Sequence, residues 1–195
     1  MVQWYEKLSK YFPIEEMKTQ EHMEKLLSER GDIYHKDESE HHVMLYAEFS
    51  EFIFIDYVWV SSESRGMGIG GKLFEKLKKK NKPILLEVEP IDYEDTDTEK
   101  RLRFYKKLGF RHAQSIIYDN RSFQTDEEAP LEILYWLPTD ESEEYIYEKM
   151  KTVYERIHTY KGEEFYGKEL DPVDKALKYE EKRDTDILGD IKKDE

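Results

Sequence analysis

Apolar positions along the chain fall into blocks with two different periods. Trp4, Tyr5, Leu8, Tyr11 and Phe12 are spaced as on a helix, and Pro13 then offers the start of a new one. Ile14, Met17, Leu26 and Leu27 mark one face of that second helix, which ends near Arg30 and Gly31. Residues 32–40 are polar, with a short strand expected around Ile33 and Tyr34. Residues 43–49 and 52–60 read as strands. Only Ser50 and Glu51 separate them, which predicts an antiparallel hairpin.

A helix over about 70–80 follows, with Lys78, Lys79 and Lys80 at its end, where cations complement the helix dipole. Residues 84–89 are almost continuously apolar, as in a central buried strand. So short a strand–helix–strand connection predicts a parallel crossover. Residues 98–108 form a helix with Leu102, Tyr105 and Leu108 inward, stopped by Gly109. Residues 110–118 and 131–137 are strands joined by an acidic loop. Beyond Pro138, Ile146, Met150, Val153 and Ile157 step by four, three and four, giving one amphipathic helix over about 140–160. A short helix is expected from Pro172, and a frayed, charged tail in the last dozen residues.

The most distinctive stretch lies between the strand at 52–60 and the helix it feeds. Gly66, Gly68, Gly70 and Gly71 fall within six residues. Glycine lets the backbone turn tightly and approach a ligand closely. A helix N-terminus adds free N–H groups and a positive dipole end. Strand, glycine loop and helix together make a site for phosphate or pyrophosphate. Gly66, Gly68 and Gly71 satisfy the dinucleotide pattern G-x-G-x-x-G, and Glu87 and Glu89 lie about 20 residues on. The context is wrong for that reading. Residues 61–65 intervene between strand and first glycine, and further parallel βαβ units do not follow.

Composition narrows the rest. The chain has 195 residues, enough for one domain with a real core. It has no Cys, which removes disulfides, thiolate metal sites and cysteine nucleophiles. The longest apolar run is residues 52–60, broken by Asp56, so no membrane span is expected. The first residues lack a basic region followed by an apolar one, which points to a cytoplasmic protein. A formal net charge of −14 argues against nucleic acid as a partner and suits a cationic acceptor such as an amine. It suits simple solubility equally well. His41 and His42 would point to opposite faces of a strand, so no metal site is read there.

Arg65-x-x-Gly68-x-Gly70 resembles the R/Q-x-x-G-x-G/A signature of the GNAT N-acetyltransferases. Residues 56–60 resemble that family's splayed fourth strand, and Leu86-Glu87-Val88 its fifth. Phe104-Tyr105-Lys106-Lys107-Leu108-Gly109-Phe110 is similar to its F-Y-x-x-x-G-F segment. In order and spacing the likeness covers about residues 40–137. It implies an α/β fold of α+β type: a mixed, mostly antiparallel sheet flanked by helices. The domain would span 1–138, N-terminal helices 1–30 included. A C-terminal helical extension, 139–195, lies outside it.

The resemblance further implies acetyl-CoA as acyl donor, with no metal, in an opening between two strands. Backbone of Arg65, Gly66, Met67, Gly68, Ile69, Gly70 and Gly71 would hold the pyrophosphate. Val58, Trp59 and Val60 would lie along the pantetheine arm, the backbone of Val58 and Val60 pairing with it like an added strand. The acceptor would be a small-molecule or peptide amine, which must lose a proton before attack. Glu87 ranks first as base and Asp56 second. Glu89 shares the Glu87 face, and either Asp56 or Glu89 could attract the amine. Tyr105 is the candidate acid and also a donor-binding residue. Thr98 stands where relatives often carry Asn, and can cap its helix. A non-catalytic acyl-CoA-binding or partner-binding module is the alternative. The 140–160 stripe would then meet another subunit, as in a homodimer, instead of packing on its own domain.

Overall fold

The computed structural model describes residues 3–191. The first helix, α1 (Trp4–Ser9), lies where the pattern predicts but stops at Ser9, leaving Tyr11 and Phe12 in the turn before Pro13. The second helix does not start there. One 3-10 turn (Ile14–Glu16) leads into extended backbone, and α2 runs only over Gln20–Glu29. The reason is local. Thr19 caps α2 by accepting from the His22 amide, while the Tyr57 hydroxyl donates to Glu16 O and accepts from the Lys18 amide.

The strands β1 (Tyr34–Glu38), β2 (His42–Glu48) and β3 (Ile53–Val60) form an antiparallel meander. After β3, α3 (Ile69–Lys78) crosses over to β4 (Ile84–Val88), which is parallel to β3. Helix α4 (Thr96–Lys107) precedes β5 (Arg111–His112), β6 (Ile116–Tyr118) and β7 (Glu132–Trp136). Within the described residues the main sheet runs β1-β2-β3-β4-β7-β5, and β3–β4 is its one parallel pair.

The strand expected over 110–118 is broken. Only Arg111 and His112 pair with β7. At the break, the amides of Gln114 and Ser115 donate instead to the Glu143 carboxylate, at 3.2 and 2.7 Å. Glu143 opens α5 (Glu143–Val153), so the carboxylate at a helix start has replaced the ladder for these two amides. After the break, β6 pairs antiparallel with β8 (Leu177–Tyr179) in a second, two-stranded sheet.

One core lies on each face of the main sheet. Leu73, Phe74 and Leu77 of α3 and Leu102 and Tyr105 of α4 cover one face. On the other, Leu8 of α1 and Met23 and Leu26 of α2 pack with Ile146, Met150 and Val153 of α5. The α5 stripe is therefore covered by its own chain, each of those three residues being fully buried. Met150→Ala is expected to lower stability by about 2–5 kcal/mol in chemical denaturation, as other fully buried Met or Leu truncations do.

Two short helices follow, α6 (Gly162–Tyr166), absent from the sequence pattern, and α7 (Val173–Ala176), capped by Pro172. The tail is not frayed through residue 191; residues 192–195 lie outside the described residues. Ile187, Leu188 and Ile191 are buried beside Phe110. Lys106 donates to Leu188 O at 2.7 Å, and Arg183 binds Glu132 at 2.8 Å. Charge dominates the tail's composition, but its few apolar residues decide its fate.

Candidate active site

The sheet splits where the glycine loop points. β3 and β4 pair only from Ile53↔Ile84 to Ile55↔Leu86. Beyond that point β3 stays paired with β2 through Val60, and β4 stays paired with β7 through Val88. A β-bulge helps the split. Tyr46 opposes Ile55 and Leu45 opposes Tyr57, which leaves Asp56 with no partner across the ladder. A bulge bends its strand and re-aims side chains. Here it puts Phe54 and Tyr57, three residues apart, in the same core.

On one side of the split is a cleft lined by Val58, Val60, Arg65, Gly66, Gly68, Gly70, Gly71, Arg101, Phe104 and Tyr105. Gly66 and Gly68 have φ of +89° and +75°, which side chains rarely adopt. Gly70 serves packing. A Cβ there would lie 3.0 Å from Phe104 Cζ, so the Phe104 ring would have to shift. Side-chain oxygens cap α2, α4 and α5, and each carries acid in its first turn; α3 has neither. Its first N–H groups remain for an outside acceptor. Cβ atoms at Gly66, Gly68 and Gly71 would meet nothing within 4 Å, so the loop faces open space. Arg65 and Arg101 flank the Tyr11 ring, each 5.8 Å from its centroid. Free amides, glycines and two guanidiniums suit the pyrophosphate of a nucleotide cofactor. Trp59 packs against the opposite core, and Met67 is exposed; neither side chain lines this cleft.

A second cleft meets the first at Val58, Arg101 and Tyr105. Tyr105 is 7% exposed and makes edge contacts with Phe74, Phe104 and Phe110. Burial pushes its phenol well up, only partly opposed by Arg101, so it stays protonated. Glu87 lines the second cleft, and its carboxyl lies 2.7 Å from His158 Nε2, within hydrogen-bond distance. Sequence reasoning missed His158. It lies at the end of a π-helical turn (Tyr154–His158) that continues α5, where the Thr159 amide reaches back to Tyr154 O. Its place beside Ile157 on the apolar stripe was the available signal.

Asp56 also lines the second cleft, but its carboxylate is already engaged. It pairs with Lys18 at 2.7 Å, both side chains 3% exposed, and accepts from the Tyr34 hydroxyl at 2.6 Å. Burial alone would raise its carboxyl, but the Lys18 ammonium, with His158 and Tyr34, holds it below its ordinary value. Glu89 accepts from Arg101 at 2.7 Å. Its neighbour is Glu16, not Glu87. Burial, then the Glu89 carboxylate, push Glu16 up to about 9, so Glu16 is protonated at neutral pH. Thr98 does not cap α4. Asp95 does, accepting from the Asp97 amide; the Thr98 hydroxyl instead donates to Asp95 O at 2.8 Å and accepts from the Asp92 amide. Thus Thr98 ties the acidic loop to the helix. Among the described residues no group of three or more His, Asp or Glu is arranged to hold a metal ion. No helix among them is long and apolar enough to cross a membrane.

Comparison with known proteins agrees with this geometry. Residues 30–112 match the model of the acetyltransferase (GNAT) domain. A protein of Bacillus subtilis (strain 168) called "Putative acetyltransferase YjbC" is 62% identical over 189 residues, covering 96% of this chain and 98% of that one. A solved structure described as "Putative acetyltransferase from GNAT family from Bacteroides thetaiotaomicron" superposes with a TM-score of 0.64 at 23% identity, over 85% of this chain and 90% of that one. The chain belongs to the GNAT acetyltransferase family. Acetyl-CoA is the donor that membership brings, and the glycine-loop cleft has the features to take it.

Proposed function

We propose that this protein transfers an acetyl group from acetyl-CoA to a primary amine, on a small molecule or a peptide, by direct attack. The observation that carries this reading is the junction of two clefts at Val58, Arg101 and Tyr105, one leading to the glycine loop and the other to Glu87. When bound, acetyl-CoA supplies an activated thioester carbonyl.

The protein's own groups do the rest. The first amides of α3 hold the pyrophosphate, with Arg65 and Arg101 alongside. The free edge of β3 at Val58 and Val60 offers backbone groups to an extended chain. Glu87 takes the proton that the amine must lose. Tyr105 gives a proton to the leaving sulfur. Its hydroxyl has no hydrogen-bond partner among the described residues, and burial keeps it protonated for that task.

The test is release of free CoA thiol from acetyl-CoA across a panel of primary amines, with products weighed by mass spectrometry. Amine-dependent release with an acetylated product is expected. Tight CoA binding with release no faster than hydrolysis would instead support a binding module. Tyr105→Phe is expected to lower kcat by about 10- to 100-fold, less than loss of the base, because a thiolate leaves readily even unprotonated. KM for acetyl-CoA should stay nearly unchanged, since the ring contacts remain.

A further inference from the structure

We propose that His158 is a positioning residue for the Glu87 base, delivered into the site by the C-terminal segment. The inference rests on Glu87 being the base. Glu87 as an ionised carboxylate can only accept, so the nitrogen 2.7 Å away must carry the proton. That nitrogen is Nε2. The other, Nδ1, is buried with no partner, so nothing else in the protein competes for the ring. The imidazole is 3% exposed and lies edge-on to Phe54, with Phe123 on another side. The ring is thus held by packing, and its one polar contact is Glu87.

The surrounding charges sharpen the argument. Asp56 of β3 faces the ring but is matched by Lys18. His22 of α2 also faces it, and burial, with the nearby Lys18, lowers its imidazole to about 3, so it is neutral. Tyr57 of β3 and Tyr118 of β6 face Glu87, and Tyr154 lies on the same turn as His158; burial raises all three phenols, which stay neutral. Glu89 of β4 is matched by Arg101, and Arg121 lies within reach of Glu128. The N–H donated by His158 is therefore the specific polar contact that orients the Glu87 carboxylate.

The experiment compares the full-length wild type with His158→Phe and His158→Gln. Acetyl-CoA is paired with an alkyl diamine or a lysine peptide, and thiol release is followed across pH. His158→Phe is expected to lower kcat by about 10- to 100-fold, the effect of losing a hydrogen bond to a charged group. KM for acetyl-CoA should not change. His158→Gln keeps an N–H donor and should recover part of kcat.

Activity that falls with Glu87→Gln, yet keeps its wild-type kcat in His158→Phe, overturns this inference alone. Equal loss in His158→Phe and His158→Gln also overturns it. Activity indifferent to Glu87→Gln overturns both this inference and the assignment of the base. Should His158→Phe not fold, nitrogen-15 NMR of the wild-type histidines decides. An Nε2–H imidazole whose signals move in Glu87→Gln supports the pairing, and a dominant Nδ1–H form overturns it.

Discussion

Glu87→Gln is expected to lower kcat for amine acetylation by about 100- to 10,000-fold, the range for losing a positioned general base. Glutamine keeps the size of the side chain, and its carbonyl can still accept from His158 Nε2, which now lies 2.7 Å from Glu87. The substitution removes basicity while leaving the packing in place. Donor binding should survive, because Glu87 does not line the glycine-loop cleft. Steady-state kinetics should therefore show a fall in kcat with KM for acetyl-CoA nearly constant. At high pH, where more of the amine is already neutral, the deficit should narrow. A variant with wild-type kcat would remove Glu87 from the mechanism.

Asp56→Ala is expected to destabilise the protein by about 3–5 kcal/mol, because it leaves the Lys18 ammonium buried without a partner. Both side chains are 3% exposed, so little of the orphaned ammonium is solvated in place of the lost carboxylate. The Tyr34 hydroxyl loses its acceptor as well. Urea denaturation measures the cost. The paired replacement Asp56→Leu with Lys18→Met should recover most of it, since an apolar pair needs no compensation for desolvation.

The pH dependence has a definite sign. Asp56 is held below its ordinary 3.8 in the folded protein. Its contribution is thus complete above that value and is lost as pH falls through the lowered one. Stability should be insensitive to this group between neutral pH and about pH 5. Asp56 had the sequence credentials of a second base. The ion pair makes it a fixed strut under the bulge of β3.

The frame of the site was legible in the sequence because its signals are local. The apolar runs of β3 and β4, the glycines between them and the Phe104–Phe110 segment define strand, loop, helix and cleft within about 60 residues. What could not be read depends on distant partners. Lys18 meets Asp56 across 38 residues, and His158 meets Glu87 across 71. Periodicity predicts which face a residue takes, not which charge waits there.

The broken strand at 113–115 has the same cause, since Glu143 draws off its amides. So does the tail, whose three buried aliphatic residues dock despite a charged composition. The extension from residue 139 lies outside the stretch that resembles the family. In the fold it completes the core over one sheet face and brings a histidine to the candidate base.

The proposed reaction puts the donor in the split between β3 and β4, with its reacting end between Tyr105 and Glu87. A crystal structure of the protein with CoA tests this directly. The pyrophosphate is predicted on the amides at the start of α3, the pantetheine arm along Val58 and Val60, and the sulfur beside the Tyr105 hydroxyl. CoA bound elsewhere, or a sulfur on the far side of the sheet from Tyr105, would contradict the account.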